Sequence, residues 1–365
     1  MKSYKKLAIA GLLISTALFF SGCGTSPVSS APAEKQTITD ITGRQVEVPQ
    51  KVKKIAVVPL PWASVVYALD GNAERLGAMH PGAMSAYKGH FLEKMDTQFG
   101  QVDHKMIGQD FSVNAESLAN AGIDSAVLWY YQEKDAEKLK QIGIPAVMIN
   151  NDSVDTLKKS FLMVGKLLGK EDRAKELNAY YDNAYQEITA HASEVEKADK
   201  PTILFLRNSK LRLQGNDNFI HEAIRIGGGE NPFAQEANTG NNKDISMEEV
   251  YRINPDIILL SNFDNFVPDD LYENRIAGQD WSTVKAVQNH RVYKVPMGIY
   301  RWDAPGVETP LMMKWLAKLL QPEIFKDMDV RADTKKFYKD FMKYDVSDED
   351  LAMIFADKEN RNSDW

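Results

Sequence analysis

Arginine and aromatic side chains recur directly after the predicted strands of this chain. Arg207 ends one strand, and Arg301 comes six residues after the apolar run that ends at Val295. A guanidinium fork binds carboxylates, catecholates, phosphates or oxyanions through paired hydrogen bonds, and aromatic rings flank planar ligands. Loops at the carboxyl ends of parallel strands are where such groups bind ligands. The candidate ligand-binding residues are Trp62, His80, Trp129, Tyr130, Arg207, Arg212, Tyr300, Arg301 and Trp302.

Each candidate also has a purely structural explanation. A charged side chain is costly to bury without a partner, so Arg207 and Arg301 need either a ligand or an acidic neighbour. The aromatic rings of Trp129 and Tyr130 could instead pack in an interface within the protein. We expect the arginines to bind an anionic ligand, either a metal chelate or an oxyanion.

The sequence lacks the short motifs of a zinc site or of a common enzyme. It contains no HExxH, no HxH and no cluster of Cys and His, so we expect no metal held directly by protein side chains. Met79 and Met84 near His80 leave haem ligation as an alternative, although methionine more often fills gaps in a core. No G-x-S-x-G elbow, Walker loop or G-x-G-x-x-G is present either.

The first residues of the chain predict export. Lysines at positions 2, 5 and 6 precede an almost wholly apolar run from Leu7 to Phe20, which is too short for a membrane span. Ser21 and Gly22 then lead directly to Cys23, and this segment resembles the lipobox of bacterial lipoproteins. That resemblance implies a signal peptide over 1–22 and a lipid on Cys23, the one covalent group expected. Residues 23–36 predict a flexible tether, and the body would lie at the outer face of the cytoplasmic membrane.

Charge and cysteine content exclude further classes. Removal of the three lysines in 1–22 leaves 41 basic against 51 acidic residues, a net charge of −10. Such a chain lacks the basic surface of a nucleic-acid-binding protein. Cys23 is the one cysteine, so no disulfide can form within the chain.

A sequence pattern that occurs twice predicts two similar halves. Residues Val113–Leu128 align with Ile245–Leu260 at a constant offset of 132, and each copy reads as a capped helix followed by an apolar strand. We therefore predict an α/β fold with two similar lobes and mainly parallel sheets, the ligand cleft between them. The predicted lobes cover 37–152 and 198–365, the second with extra helices at its end.

The residues between the lobes predict helices. Val154, Leu157, Phe161, Val164 and Leu168 are spaced by three or four, which is typical of an amphipathic helix. A second helix over about 170–196 would be roughly 40 Å long at 1.5 Å per residue. We expect these linker helices, residues 153–197, to join the lobes by a long rigid helix.

Several segments in order resemble one known family. Thr37–Pro49, Gly227–Phe233, Ile245–Leu260 and Trp281–Pro296 resemble segments of the helical-backbone class of ABC-transporter substrate-binding proteins. That class serves iron–siderophore, haem and cobalamin importers. The resemblance implies two lobes bridged by a long helix, a ligand in the cleft, and delivery to a membrane permease with its cytoplasmic ATPase.

The family also suggests a role for two glutamates that the repeat brings into register. In the family, one acidic residue on each lobe pairs with arginines of the permease, and by position these are Glu116 and Glu248. A local explanation is compatible, because an acid in the first turn of a helix stabilises it by about 0.3–1 kcal/mol.

These observations favour a monomeric, lipid-anchored import receptor that is not an enzyme. We expect an iron(III)–siderophore-type anionic complex as its ligand, with molybdate or tungstate, cobalamin, haem, and a nickel or cobalt chelate as alternatives. A lipid-anchored extracytoplasmic hydrolase is the alternative class, and a structural or adhesive lipoprotein is a third.

Overall fold

Two parallel sheets organise the chain. A computed structural model describes residues 34–214, 218–234 and 243–361, so the predicted signal peptide and Cys23 lie outside the described residues. The first sheet has the strand order β4-β3-β5-β6 and the second β7-β8-β9, while β1 and β2 form a separate antiparallel pair. The strands are β1 Lys35–Thr39, β2 Gln45–Pro49, β3 Ile55–Val57, β4 Leu76–Met79, β5 Ser125–Trp129, β6 Ala146–Ile149, β7 Ile203–Leu206, β8 Ile257–Leu260 and β9 Val292–Lys294.

Helices cover both sheets, which explains why the strands are so thoroughly buried. Every residue of β3, β5, β7 and β8 is buried, as expected for parallel strands packed on both faces. No helix of the described residues is long and apolar enough to cross a membrane. The helices are α1 Trp62–Asp70, α2 Phe91–Met95, α3 Ala115–Asn120, α4 Glu133–Gln141, α5 Val154–Leu168, α6 Glu171–Thr189, α7 Ala192–Lys197, α8 Asn218–Ile226, α9 Met247–Ile253, α10 Pro268–Tyr272, α11 Lys285–Gln288, α12 Thr309–Leu320, α13 Val330–Phe337 and α14 Asp348–Ile354.

The repeated sequence pattern folds the same way in both lobes. Asn114 caps α3 and Ser246 caps α9, each by accepting a hydrogen bond from a backbone N–H of the first turn. The repeated aspartates then tie neighbouring strands together. Asp124 accepts from the backbone N–H of Lys53, just before β3, and Asp256 accepts from that of Thr202, just before β7, both at 2.8 Å. In each lobe the repeated pattern therefore joins two strands that pair in the sheet, β3 with β5 and β7 with β8.

The helices between the lobes differ from the prediction in length. α5 ends at Gly169, whose φ of 63° suits a residue without a side chain. α6 has 19 residues, about 28 Å, and ends at Thr189, so the predicted single helix to residue 196 is wrong. The chain bends at Ala190 and His191 before α7. The last two residues that the sequence assigned to the tether, 35 and 36, instead belong to β1, which begins at Lys35.

The segment after Asp327 contacts both lobes rather than extending the second lobe alone. The ring of Tyr338 packs edge-on against Phe91 of α2 at 5.1 Å, and Lys94 forms an ion pair with Asp350 at 2.8 Å. On the other side, the N–H of Met297 donates to the carbonyl of Ile354 at 2.9 Å. The C-terminal helices thus tie the cleft loop after β9 to the first lobe.

Candidate ligand-binding site

Two arginines and one phenylalanine form the centre of the candidate site. The guanidinium carbons of Arg207 and Arg301 each lie 3.3 Å from the centre of the Phe263 ring. At that distance both must stack on the ring, and on opposite faces, because two cations on one face would overlap. Arg207 follows β7, Phe263 follows β8 and Arg301 follows β9, so the ends of all three strands contribute.

The positive charge of this arginine cluster is only partly balanced. Arg301 donates to both carboxylate oxygens of Asp303, at 3.1 and 3.2 Å, while Arg207 contacts the amide oxygen of Gln214 at 3.3 Å. Asp303 is the sole carboxylate in hydrogen-bond contact with either guanidinium among the residues that the structure describes. Burial, and then the neighbouring charge of Arg301, lower the pKa of Arg207 to about 10. Two guanidinium groups with one counter-charge form a site that favours an anion.

A buried lysine holds the loop that carries Phe263. Lys294 Nζ donates to the carbonyl oxygens of Ser261, Asp264 and Phe266 at 2.9, 2.8 and 3.0 Å. Its side chain is buried, and this burial lowers the pKa of Lys294 to about 8. Three carbonyl acceptors satisfy all three ammonium protons, so the loop is held on both sides of Phe263.

A buried glutamate holds the loop that carries Arg301. The Glu308 carboxylate accepts from the backbone N–H of Tyr300 at 3.0 Å, the indole N–H of Trp302 at 2.9 Å and the hydroxyl of Tyr338. Burial raises the pKa of Glu308 to about 7. A Cβ at Gly298 would lie 2.0 Å from both the carboxylate and the Tyr338 hydroxyl, so this turn requires glycine.

Tyr300 connects the arginine cluster to the first lobe. The guanidinium of Arg301 lies 5.2 Å from the Tyr300 ring, and that ring is buried in a small cluster with Ala86 and Met297, against which Leu60 packs. Leu60 and Ala86 belong to loops of the first lobe. The arginine cluster therefore lies beside the contact between the lobes, where the cleft is expected.

The first lobe presents aromatic rings at the end of β5. Tyr130 and Tyr131 are 47% and 59% exposed, and their rings meet edge to face at 5.3 Å. Tyr131 also stacks on Trp129 at 6.3 Å with an interplanar angle of 16°. Trp129 is buried, and its indole N–H has no hydrogen-bond partner among the described residues. The exposed tyrosines offer flat surfaces for a planar ligand.

His80 is a structural residue rather than a free ligand group. Its Nδ1 accepts from the backbone N–H of Gly82 at 2.9 Å, which leaves the proton on Nε2, 3.3 Å from the carbonyl of Gln109. The ring also packs on Phe111 with centres 4.4 Å apart. Burial lowers the pKa of His80. Both nitrogens are engaged, so the structure does not support the predicted ligand role.

Two further candidates are buried, and a third is paired with an acid. Trp62 is fully buried against Phe161, with ring centres 5.6 Å apart, and Trp302 is fully buried on Glu308. Neither ring is exposed to a ligand in this structure, so we correct the predicted site at these two positions. Arg212 forms an exposed ion pair with Asp244 at 2.7 Å, and after burial its charge is among the causes that lower the pKa of Arg207.

Glu116 and Glu248 occupy equivalent positions in the two lobes. Each is the second residue of its helix, α3 or α9, and each is exposed. Hydrogen bonds at the start of α9, including one involving Ser246, lower the pKa of Glu248. Both side chains remain accessible to a partner.

Sequence reasoning missed the residues that support the arginines. Phe263, Lys294, Asp303 and Glu308 were not among the candidates, although the segment Asn262–Asp264 directly follows a predicted strand. The position of Phe263 after β8 was a usable signal. No local pattern marks Lys294 or Glu308, because their partners lie on loops that meet them only in the folded protein.

Two α/β lobes with a cationic site beside their contact define a two-lobed ligand-binding protein. The family model described as periplasmic binding protein matches residues 63–297, and the chain belongs to this family, as the resemblance implied. A periplasmic solute binding protein of Veillonella parvula, of known structure, is 38% identical with a TM-score of 0.85, covering 90% of this chain and 99% of its own.

Two curated relatives are more distant and differ in ligand. The molybdate-binding protein MolA of Haemophilus influenzae is 23% identical over 343 residues, 87% of this chain and 94% of its own. The Fe(3+)-citrate-binding protein YfmC of Bacillus subtilis is 24% identical over 306 residues, 80% of this chain and 90% of its own. These relatives are binding proteins rather than enzymes.

Proposed function

We propose that this protein is the lipid-anchored, extracytoplasmic receptor of an ABC importer and captures an anionic metal chelate of the iron(III)–siderophore type. The observation that carries this proposal is the pair of half-buried and buried guanidinium groups on Phe263. Among the described residues, Asp303 is the one carboxylate in hydrogen-bond contact with the pair, and it contacts Arg301. Exposed Tyr130 and Tyr131 supply the apolar surface that an organic chelate needs. The name of YfmC, a binder of iron(III) citrate, supports the same ligand class.

A bare oxyanion is the second candidate. The likeness to MolA favours molybdate or tungstate, and a single oxyanion also suits guanidinium donors. The engaged nitrogens of His80 remove the main support for haem. No contact of the described residues specifically favours cobalamin or a nickel or cobalt chelate.

The ligand itself is tested first. Native mass spectrometry with metal analysis, on protein purified from its own host, should show a bound mass that contains iron and an organic chelator. A bound oxyanion without an organic component would favour the second candidate instead. Turnover of a substrate by the purified protein alone would revive the hydrolase alternative.

The arginines are tested by substitution. We expect Arg207→Ala and Arg301→Ala each to weaken binding of the anionic ligand by about 1.5–3 kcal/mol, because each removes a charge-assisted hydrogen bond. Calorimetric titration measures this, and Arg225→Ala, on the exposed pair with Glu222, is the matched control. If the wild type, the two arginine variants and the control all bind the ligand with equal affinity, neither arginine belongs to the site.

Delivery is proposed to use the exposed glutamates and the anchor. Glu116→Gln with Glu248→Gln should lower uptake in cells while the purified double variant keeps its ligand affinity, whereas Glu196→Gln, exposed on α7, should change neither. Normal uptake by the double variant would argue against docking through these acids.

The anchor is tested separately. Cys23→Ala should release the protein from the membrane fraction if a lipid is attached there.

A further inference from the structure

The Phe263 ring fills the space between the two arginines. Since Arg207 and Arg301 stack on its opposite faces, each 3.3 Å from its centre, the midpoint between the two guanidinium groups is occupied by the ring. The N–H donors of a guanidinium lie in its own plane, so the two groups donate hydrogen bonds at two levels, one on each side of the ring. The ring therefore separates the two cationic groups into two binding positions.

The three residues are held in this arrangement by neighbouring groups. Lys294 fixes the Phe263 loop through three carbonyls, and Asp264 accepts from the backbone N–H of Ser209 at 2.9 Å. Asp303 orients Arg301 and itself accepts from the hydroxyl of Ser261. The ring is 42% exposed, so its edge is accessible while its backbone is fixed.

We propose that Phe263 determines ligand specificity and makes the site select an anion with at least two separate acidic groups over a single tetrahedral oxyanion. This inference rests on the proposed capture of an anion by the arginines. Two carboxylate or catecholate groups of one metal chelate can reach Arg207 and Arg301 on either side of the ring. The oxygens of one tetrahedral oxyanion lie closer together than the two guanidinium planes, so the oxyanion accepts in-plane hydrogen bonds from one guanidinium and forms fewer charge-assisted hydrogen bonds.

Substitution of Phe263 tests the inference with two defined probes. Calorimetric titrations with sodium molybdate and with iron(III) citrate compare the wild type, Phe263→Ala and Phe263→Leu. Phe263→Ala removes the spacer and lets both guanidinium groups turn toward one oxyanion, so we expect it to bind molybdate at least tenfold more tightly than the wild type does. Phe263→Leu keeps a bulky spacer and should retain the weak molybdate binding. Met353→Ala, an exposed apolar residue on α14, is the control.

The outcomes separate this inference from the proposed function. A wild type that binds molybdate more tightly than iron(III) citrate overturns the inference, as does Phe263→Ala with unchanged or weaker molybdate affinity. A gain of molybdate binding in Phe263→Ala supports it even if the wild type binds neither probe. Arginine variants that leave binding of the host-derived ligand unchanged would instead overturn the proposed function.

Discussion

At the scale of residues, the described structure divides the predicted site into groups that can meet a ligand and groups that support the fold. Arg207 and Arg301 stack on an exposed ring, and Asp303 pairs with Arg301. His80 has a supporting role, because its two nitrogens join the loop after β4 to the carbonyl of Gln109. Residue type alone does not distinguish these roles.

The lowered pKa of His80 should make the stability of the protein depend on pH. The pKa of His80 is lower in the folded protein than the ordinary value of about 6.5, so the unfolded chain binds the proton more readily. The contribution of His80 is therefore present above about pH 6.5 and decreases as the pH falls. Protonation of Nδ1 would also remove the acceptor of the Gly82 N–H, while Asp110 nearby partly offsets the shift.

Thermal unfolding from pH 7.5 to 5 measures this effect. His80→Asn keeps a side-chain acceptor for the Gly82 N–H but does not titrate. The melting temperature of the wild type should fall relative to that of His80→Asn as the pH decreases. A constant difference between the two proteins across this range would contradict the assignment.

At the scale of elements, two buried ionisable groups hold the loops that form the arginine cluster. Lys294 of β9 holds the loop after β8 through carbonyl oxygens, and Glu308, at the start of α12, holds the loop after β9 through N–H and O–H donors. Lys294 binds carbonyl acceptors because an ammonium group only donates hydrogen bonds. Glu308 binds N–H and O–H donors because a carboxylate only accepts them. The positions of Phe263 and Arg301 thus depend on the hydrogen bonds that Lys294 and Glu308 make to the loops after β8 and β9.

Glu308→Gln should loosen the Arg301 loop. All three partners of the carboxylate are donors, so the amide N–H₂ of glutamine would face another donor. We expect a loss of about 1–3 kcal/mol in the free energy of unfolding, together with weaker ligand binding. Denaturant titration and calorimetry measure both effects, and Glu323→Gln, on an exposed surface, is the control. If Glu308→Gln changes neither the free energy of unfolding nor the ligand affinity, the Arg301 loop does not need the carboxylate.

At the scale of the whole molecule, one hydrophobic core extends across both sheets. Val57 and Val127 of the first sheet belong to the same buried cluster as Phe205 and Leu259 of the second, with α5, α6, α12 and the C-terminal helices between them. Arg173 on α6 adds polar contacts to this packing. It donates to the carbonyl of Ala68 in α1 and to those of Asp340 and Phe341 in the C-terminal segment, at 3.1, 3.0 and 2.9 Å. Such packing favours a stiff molecule with modest closure.

Arg173→Ala should therefore destabilise the protein as a unit. It leaves three carbonyl acceptors without this donor, so we expect a loss of about 2–3 kcal/mol in the free energy of unfolding. Lys175→Ala on the same helix removes one exposed ion pair with Asp172 and should change stability by less than about 0.5 kcal/mol. Denaturant unfolding should stay a single transition in each protein, and two separate transitions would contradict a shared core.

The sequence by itself determined the two α/β lobes and their repeated helix-strand unit. These follow from local patterns, because capping residues and apolar periodicity act over a few residues of chain, and both recur at an offset of 132. Only the tertiary structure decided which strand-end side chains face outward. Trp62 and Trp302 are fully buried, while Phe263 is exposed between two arginines. The physical reason is that the direction of a loop side chain depends on distant partners such as Lys294, Glu308 and the C-terminal helices, which no local pattern contains.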